Sequence, residues 1–239
     1  MENFIIKSVV VDTLNAIQNL EYMKTLKKKG KAAFDDWTDY GVDIYLFIQS
    51  LIELGFEIVL VLGKEGAGKS YGIKGLTPGE YVWFNTDHKN PTFSRDARHK
   101  QLYGNKNEAG PLMRLSESYD DIINSCRAMN KGVSTPEYTI QLSKTPVAFL
   151  IGHTEEYKGT EGDIKTRLKV LGKLATKMQL EGLVEHCYIA DMRIENGRPK
   201  GYLRTQNSGY DTARSPEGMF NDLYIPSDFS LILKGIENY

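Results

Sequence analysis

The sequence predicts an α/β fold with a mostly parallel central sheet flanked by helices. Three observations predict it. First, segment 56–62 (FEIVLVL) is a continuous, β-branched-rich apolar run that leads into Gly63-Lys64-Glu65-Gly66-Ala67-Gly68-Lys69-Ser70, which fits G-x-x-x-x-G-K-[ST] at every fixed position. Second, 4–11 (FIIKSVVV), 81–84 (YVWF) and 146–151 (PVAFLI) are further short apolar runs, each followed by polar turn residues. Third, helical apolar spacing recurs between them, at 39–54 and 118–129.

Bulk properties set the outer bounds. A chain of 239 residues fits one domain, long enough to bury about 70 % of its unfolded surface. The expected partition is a core over 1–182 and a β-hairpin and C-terminal extension over 183–239. A net charge of −1 excludes a globally basic nucleic-acid binder but leaves local patches open. Cys126 and Cys187 form neither a metal-ligand spacing nor a disulfide framework, which fits a reduced, cytoplasmic setting. Gln49, Glu53 and Glu57 interrupt the apolar span 44–62, so no membrane segment is expected.

Segment 4–11 ends in Asp12, and an acid at such a strand end suits Mg²⁺, as it also suits an ordinary turn. Lys24, Lys27, Lys28, Lys29 and Lys31 crowd segment 24–31, which reads as an exposed loop or helix end. They make either a solvated charge run or a contact to single-stranded nucleic acid, with Tyr22 and Phe34 as stacking partners. The helix over 39–54 would be capped by Asp39 and is apolar nearly all round, so its second side is a candidate oligomer contact.

In the loop 63–70, glycines let backbone N–H groups converge on phosphate oxygens, and a helix is expected to start near Lys69 and add its positive end. Lys69 would reach the β- and γ-phosphates and Ser70 would hold Mg²⁺. Asp87, after 81–84, is a candidate for positioning water, or a simple turn former. A long loop is expected over 91–115, a Ser118-capped helix over 118–129, and a connector over 131–144 containing a short strand at 138–142. His153, after 146–151, is a candidate sensor of the γ-phosphate. Segment 155–163 reads as mobile, and 164–178 as an amphipathic helix rich in Lys and Arg. Asn196-Gly197 marks a hairpin between 183–190 and 201–205, and the tail closes with an apolar helix or strand over 229–236.

With GKEGAGKS, VVVDT, WTDYGVDIYLFIQSL, FNTDHKNPTF, FLIGHTEE and TQNSGYDTARSPEGMF in view, the chain resembles phage-encoded RecA-like P-loop ATPases of the single-strand-annealing and recombination group. The resemblance implies a RecA-like P-loop NTPase that hydrolyses ATP with Mg²⁺ and handles single-stranded DNA in the host cytoplasm. It implies a homo-oligomer, a single-strand-binding protein as a further partner, and no membrane. Gly63, Lys64, Glu65, Gly66, Ala67, Gly68, Lys69 and Ser70 would cradle the nucleotide, and Ser70 and Asp12 the metal. Lys69, Asp87, His153 and Arg214 would act in catalysis, with Arg214, and less directly Arg204, reaching a neighbouring subunit's nucleotide. Segments 24–31 and 155–169, the latter from Glu155 to Lys169, would face DNA. The order departs from the family: VVVDT and WTDYG here precede the phosphate loop instead of following it. The aspartate strand is then expected to lie next to the phosphate-loop strand.

Overall fold

The computed structural model describes residues 1–90, 97–159, 162–171 and 180–239 of the chain. The elements in order are β1 (Glu2–Asp12), α1 (Leu14–Lys29), α2 (Phe34–Glu53), β2 (Glu57–Gly63), a 3₁₀ turn (Lys69–Gly75), β3 (Tyr81–Asn85), α3 (Ala97–Tyr103), β4 (Met113–Arg114), α4 (Tyr119–Lys131), β5 (Val133–Ser134), β6 (Tyr138–Lys158), β7 (Ile164–Leu168), β8 (His186–Glu195), β9 (Arg198–Arg204), β10 (Tyr224–Pro226) and α5 (Phe229–Asn238).

The sheet runs β10-β9-β8-β2-β6-β1-β3-β4, with β5 and β7 also paired to β6. Pairing is parallel from β8 to β4 and antiparallel at β8–β9 and β9–β10. The fold is therefore α/β with a mostly parallel mixed sheet. Burial of both faces explains why the central strands read as unbroken apolar runs: Val59 to Leu62, Val9 to Val11 and Ala148 to Ile151 are all fully buried.

One expected adjacency is wrong. The aspartate strand β1 is not beside the phosphate-loop strand β2, because β6 lies between them. Phe149 pairs with Val10 on one side and Val59 on the other. The registers then set the site. Asp12 is level with Ile151 and Asn85, and Gly63 with His153, so the carboxyl ends of β1, β2, β3 and β6 meet at one edge.

The helices differ from expectation in their limits. α1 continues through Lys29, with Gly30 at φ 75° accepting the left-handed C-terminal turn. Three lysines in its last turn suit the negative end of the helix. α2 begins at Phe34, not at Asp39: Asp36 accepts the Ala33 N–H at 2.7 Å, the reach-back that closes a helix start. Phe47 of α2 stacks on Tyr119 of α4 at 4.7 Å. Ser118 caps α4 as expected, accepting from the Asp121 N–H at 3.2 Å.

Segment 97–115 is not all loop, since it holds α3 and β4, while 91–96 lies outside the described residues. The connector and strand expected over 131–151 are largely one long strand, β6. The helix expected over 164–178 is not formed at its start. Residues 164–168 make β7, which pairs antiparallel with Thr154 to Lys158, so 154–158 and 164–168 are the two arms of a β-hairpin. Pairing across this hairpin overrides a helical apolar spacing that only two of those residues, Ile164 and Leu168, carried. Residues 172–178 lie outside the described residues. The Asn196-Gly197 hairpin forms as read, both residues at positive φ, as a two-residue turn of this kind requires. It joins the sheet through β8, which pairs with β2. The tail 229–236 is helical, within α5.

Candidate functional site

The phosphate-loop template begins at the end of β2. Gly66 and Gly68 stand at φ 74° and 80°, where a side chain would be strained. A Cβ on Gly63 would meet Ala190 O at 3.0 Å, so β8 packs against the loop's first residue. The Ser227 hydroxyl donates to Gly68 O at 3.2 Å, bracing the loop from the C-terminal part of the chain.

No long helix follows. Lys69–Gly75 is a single 3₁₀ segment, because α5 occupies the space beyond it. A Cβ on Gly72 would stand 2.4 Å from the Phe229 ring, and one on Gly75 would stand 1.7 Å from Asp228 Oδ1. These glycines admit the start of α5 but weaken a helix. The loop's backbone N–H groups, rather than a strong helix dipole, are thus its anion-binding resource.

Lys69 is buried and folds back over the loop. Its Nζ donates to Gly63 O at 2.8 Å and Lys64 O at 2.7 Å, and lies 3.3 Å from His153 Nδ1. Burial pushes its ammonium down to about 8, against the pull of Asp12 and Glu65. Burial, and then the Lys69 charge, holds His153 below the usual imidazole range. A neutral ring can accept from Lys69 at Nδ1. His153 is fixed by Asn15. Asn15 Oδ1 accepts the His153 N–H at 2.7 Å and its Nδ2 donates to Lys169 O at 2.7 Å, while the Lys169 N–H donates to His153 O at 2.7 Å.

Asp12 ends β1 with its carboxylate buried. It accepts a hydrogen bond from Ser70, and burial pushes it up to about 6 with that bond opposing. Thr86 ties β3 to this end of β1: its N–H donates to Asp12 O at 3.0 Å and its hydroxyl to Thr13 O at 2.7 Å. Asn85 builds the following turn, exchanging hydrogen bonds with Lys89 at 2.6 and 3.1 Å. Asp87 pairs with the Lys89 ammonium. A cavity of about 610 Å³ opens here, lined by Thr13, Asn15, Lys64, Asp87, Lys89 and His153 among others. The residues fit Mg²⁺: a carboxylate and a hydroxyl already in contact are the hard oxygen donors it takes.

Five of the expected residues thus gather: Asp12, Lys69, Ser70, Asp87 and His153. Arg214 does not join them within the chain. Its backbone bridges Cys187, with N–H···O distances of 2.7 and 2.9 Å, and its side chain lines a separate cavity with Arg167, Glu181 and Gln206. Arg204 instead flanks the loop, paired with Asp211 and bonded to Ser208 at 2.8 Å and Tyr224 at 2.9 Å. Of the two expected DNA segments, 155–169 touches the loop, through Lys64 and Glu156 at 2.5 Å. In 24–31, Lys24 pairs with Glu21 at 3.0 Å and Lys29 with Asp36 at 2.6 Å.

Sequence reasoning missed Asn15 and Lys89. Each is three or two residues from a recognised acid, and only the fold shows that it faces the cavity. Comparison of the chain with protein-family models, with curated proteins and with solved structures gives no match.

Proposed function

We propose that the chain is a RecA-like P-loop protein that binds ATP with Mg²⁺, hydrolyses it, and acts on single-stranded DNA. The observation that carries the nucleotide part is the meeting of Lys69, Ser70, Asp12 and His153 at one edge of three neighbouring parallel strands. Ligands of open α/β sheets bind at that edge. The DNA part is supported by the sequence resemblance and by the hairpin arms 154–158 and 164–168, which follow His153 and touch the phosphate loop through the Lys64–Glu156 ion pair.

In this reading Lys69 leaves its loop carbonyls for the terminal phosphates, which supply a stronger, charge-assisted partner. Ser70 and Asp12 would hold Mg²⁺, which would supply neutralisation of phosphate charge. Asp12 must ionise to do so. His153, freed from Lys69, bonds the γ-phosphate, and its movement reaches β7 through Asn15 and Lys169. Asp87 orients water in this reading once Lys89 turns to phosphate. The Asp87–Lys89 ion pair favours a second reading, a nucleotide-dependent DNA-binding module with slow turnover.

Equilibrium titration with ATP and steady-state phosphate release, each with and without single-stranded DNA, tests both. Binding with turnover is expected in Mg²⁺ and only weak binding in EDTA. Binding without turnover selects the module. No ATP binding overturns the proposal.

A further inference from the structure

A second cavity, of about 700 Å³, shares Lys64, Glu65 and Thr154 with the first. The two therefore meet at the phosphate loop. The first holds the charged groups Asp87, Lys89 and Lys169. The second is walled by the loop backbone at Gly63, Gly66 and Ala67, by Met192 and Tyr210, and by the charged Asp191, Arg204 and Asp211. A nucleoside triphosphate needs two such neighbouring spaces, one for its phosphates and one offering an aromatic and an apolar side chain to its base.

Resting on the nucleotide reading above, we propose that this second cavity is the nucleobase subsite, and that it takes purines with little discrimination between them. Tyr210 supplies the stacking surface. The residue is 59 % exposed in the cavity wall while its backbone is fixed, Tyr210 O accepting the Thr166 N–H at 2.7 Å. Met192 supplies the opposing apolar contact. It lies against the loop, its Cε 3.1 Å from where a Gly68 Cβ would stand, and is 39 % exposed.

Weak discrimination follows from the polar side chains. Of the charged and hydroxyl side chains beyond the loop, Arg204, Ser208 and Asp211 are engaged with one another and Asp191 with Arg193: Arg204 pairs with Asp211 and reaches Ser208 at 2.8 Å, the Ser208 hydroxyl donates to Asp211 Oδ2 at 2.6 Å, and Arg193 Nε stands 3.5 Å from Asp191 Oδ2. Strong selection among bases needs polar groups left unsatisfied by the wrong one. A stack has no such requirement, because every base has an aromatic face. Purines are favoured over pyrimidines by ring area.

Calorimetric titration of the whole chain with ATP, GTP, CTP and inorganic tripolyphosphate, all in Mg²⁺, tests this. ATP and GTP should bind within about threefold of each other and about tenfold more tightly than tripolyphosphate, with CTP between. Tyr210→Ala should remove that tenfold gain and leave tripolyphosphate binding unchanged, and Tyr210→Phe should keep it. The base assignment is overturned if Tyr210→Ala leaves ATP affinity intact, if it weakens tripolyphosphate equally, or if ATP exceeds GTP by more than about thirtyfold. Failure of all four ligands, tripolyphosphate included, overturns the nucleotide reading itself and this subsite with it.

Discussion

Two lysine-bearing stretches stand out in this chain, and the structure treats them in opposite ways. Segment 24–31 holds five lysines, and those of α1's last turn complement its negative end. Lys24 and Lys29 make ion pairs, but their side chains stay about half exposed, at 53 % and 51 %. In the phosphate loop the one buried lysine, Lys69, is bound by two carbonyls and lies beside a histidine. Charge density marks the first stretch and convergence marks the second. A buried ammonium is costly unless something compensates it, whereas exposed lysines cost almost nothing to keep. Lys69 is therefore the position where chemistry explains the expense.

The largest effect expected from this contrast is on Lys69→Ala. The lost charge–phosphate contacts should weaken ATP binding by about a hundredfold or more. The fold should hold, because removing a desolvated ammonium relieves a burial cost. Titration and thermal melting of the same variant check both halves. An affinity within threefold of the native chain would end the contrast.

Next in size is Asp12. Its carboxyl titrates near 6 in the folded chain against an ordinary 3.8. The protonated form is the one the fold favours. Its contribution to stability is whole below pH 3.8, declines as pH rises toward 6, and at pH 7 the buried carboxylate costs about 3 kcal/mol. Asp12→Asn should thus raise the melting temperature of the ligand-free chain at pH 7 and leave it nearly unchanged at pH 3.5. The same variant should lose the Mg²⁺ dependence of ATP binding. Native binding in Mg²⁺ should weaken as pH falls below 6, when the metal must displace a proton. A variant that is less stable at pH 7, with Mg²⁺ dependence retained, would place Asp12 outside the metal site.

Much of this arrangement was legible in the sequence, for reasons that differ by element. The four parallel strands that build the site are buried on both faces, so their apolar runs were unmistakable, and their polar endings pointed to Asp12, Asp87 and His153. The loop template specified Lys69 and Ser70. Strand order was not legible, because nothing local in 146–151 says that it must separate β1 from β2. The short 3₁₀ turn after the loop was hidden too: Gly72 and Gly75 are glycines because α5, more than 150 residues on, needs the space. Segment 164–168 misled because its partner strand, not its own spacing, decides its conformation. Asn15 was invisible since its two bonds reach His153 and Lys169, far along the chain.

The smallest effect is expected from the exposed lysines, and it separates the stretches most sharply. Changing Lys24, Lys27, Lys28 and Lys31 to Ala, with Lys29 kept for its bond to Asp36, should shift stability by only about 0.5–1 kcal/mol, from lost helix-end complementarity. ATP affinity should stay within twofold, since none of these side chains lines the cavity beside the phosphate loop. Single-stranded DNA affinity, measured by filter binding across salt concentrations, decides their role. Each lysine that neutralises a phosphate should take about 0.7 from the slope of log affinity against log salt. A slope lowered by two or more with ATP binding intact assigns the segment to DNA, and an unchanged slope assigns it to a solvated helix end, leaving the hairpin arms 154–158 and 164–168 as the elements through which nucleotide and DNA communicate.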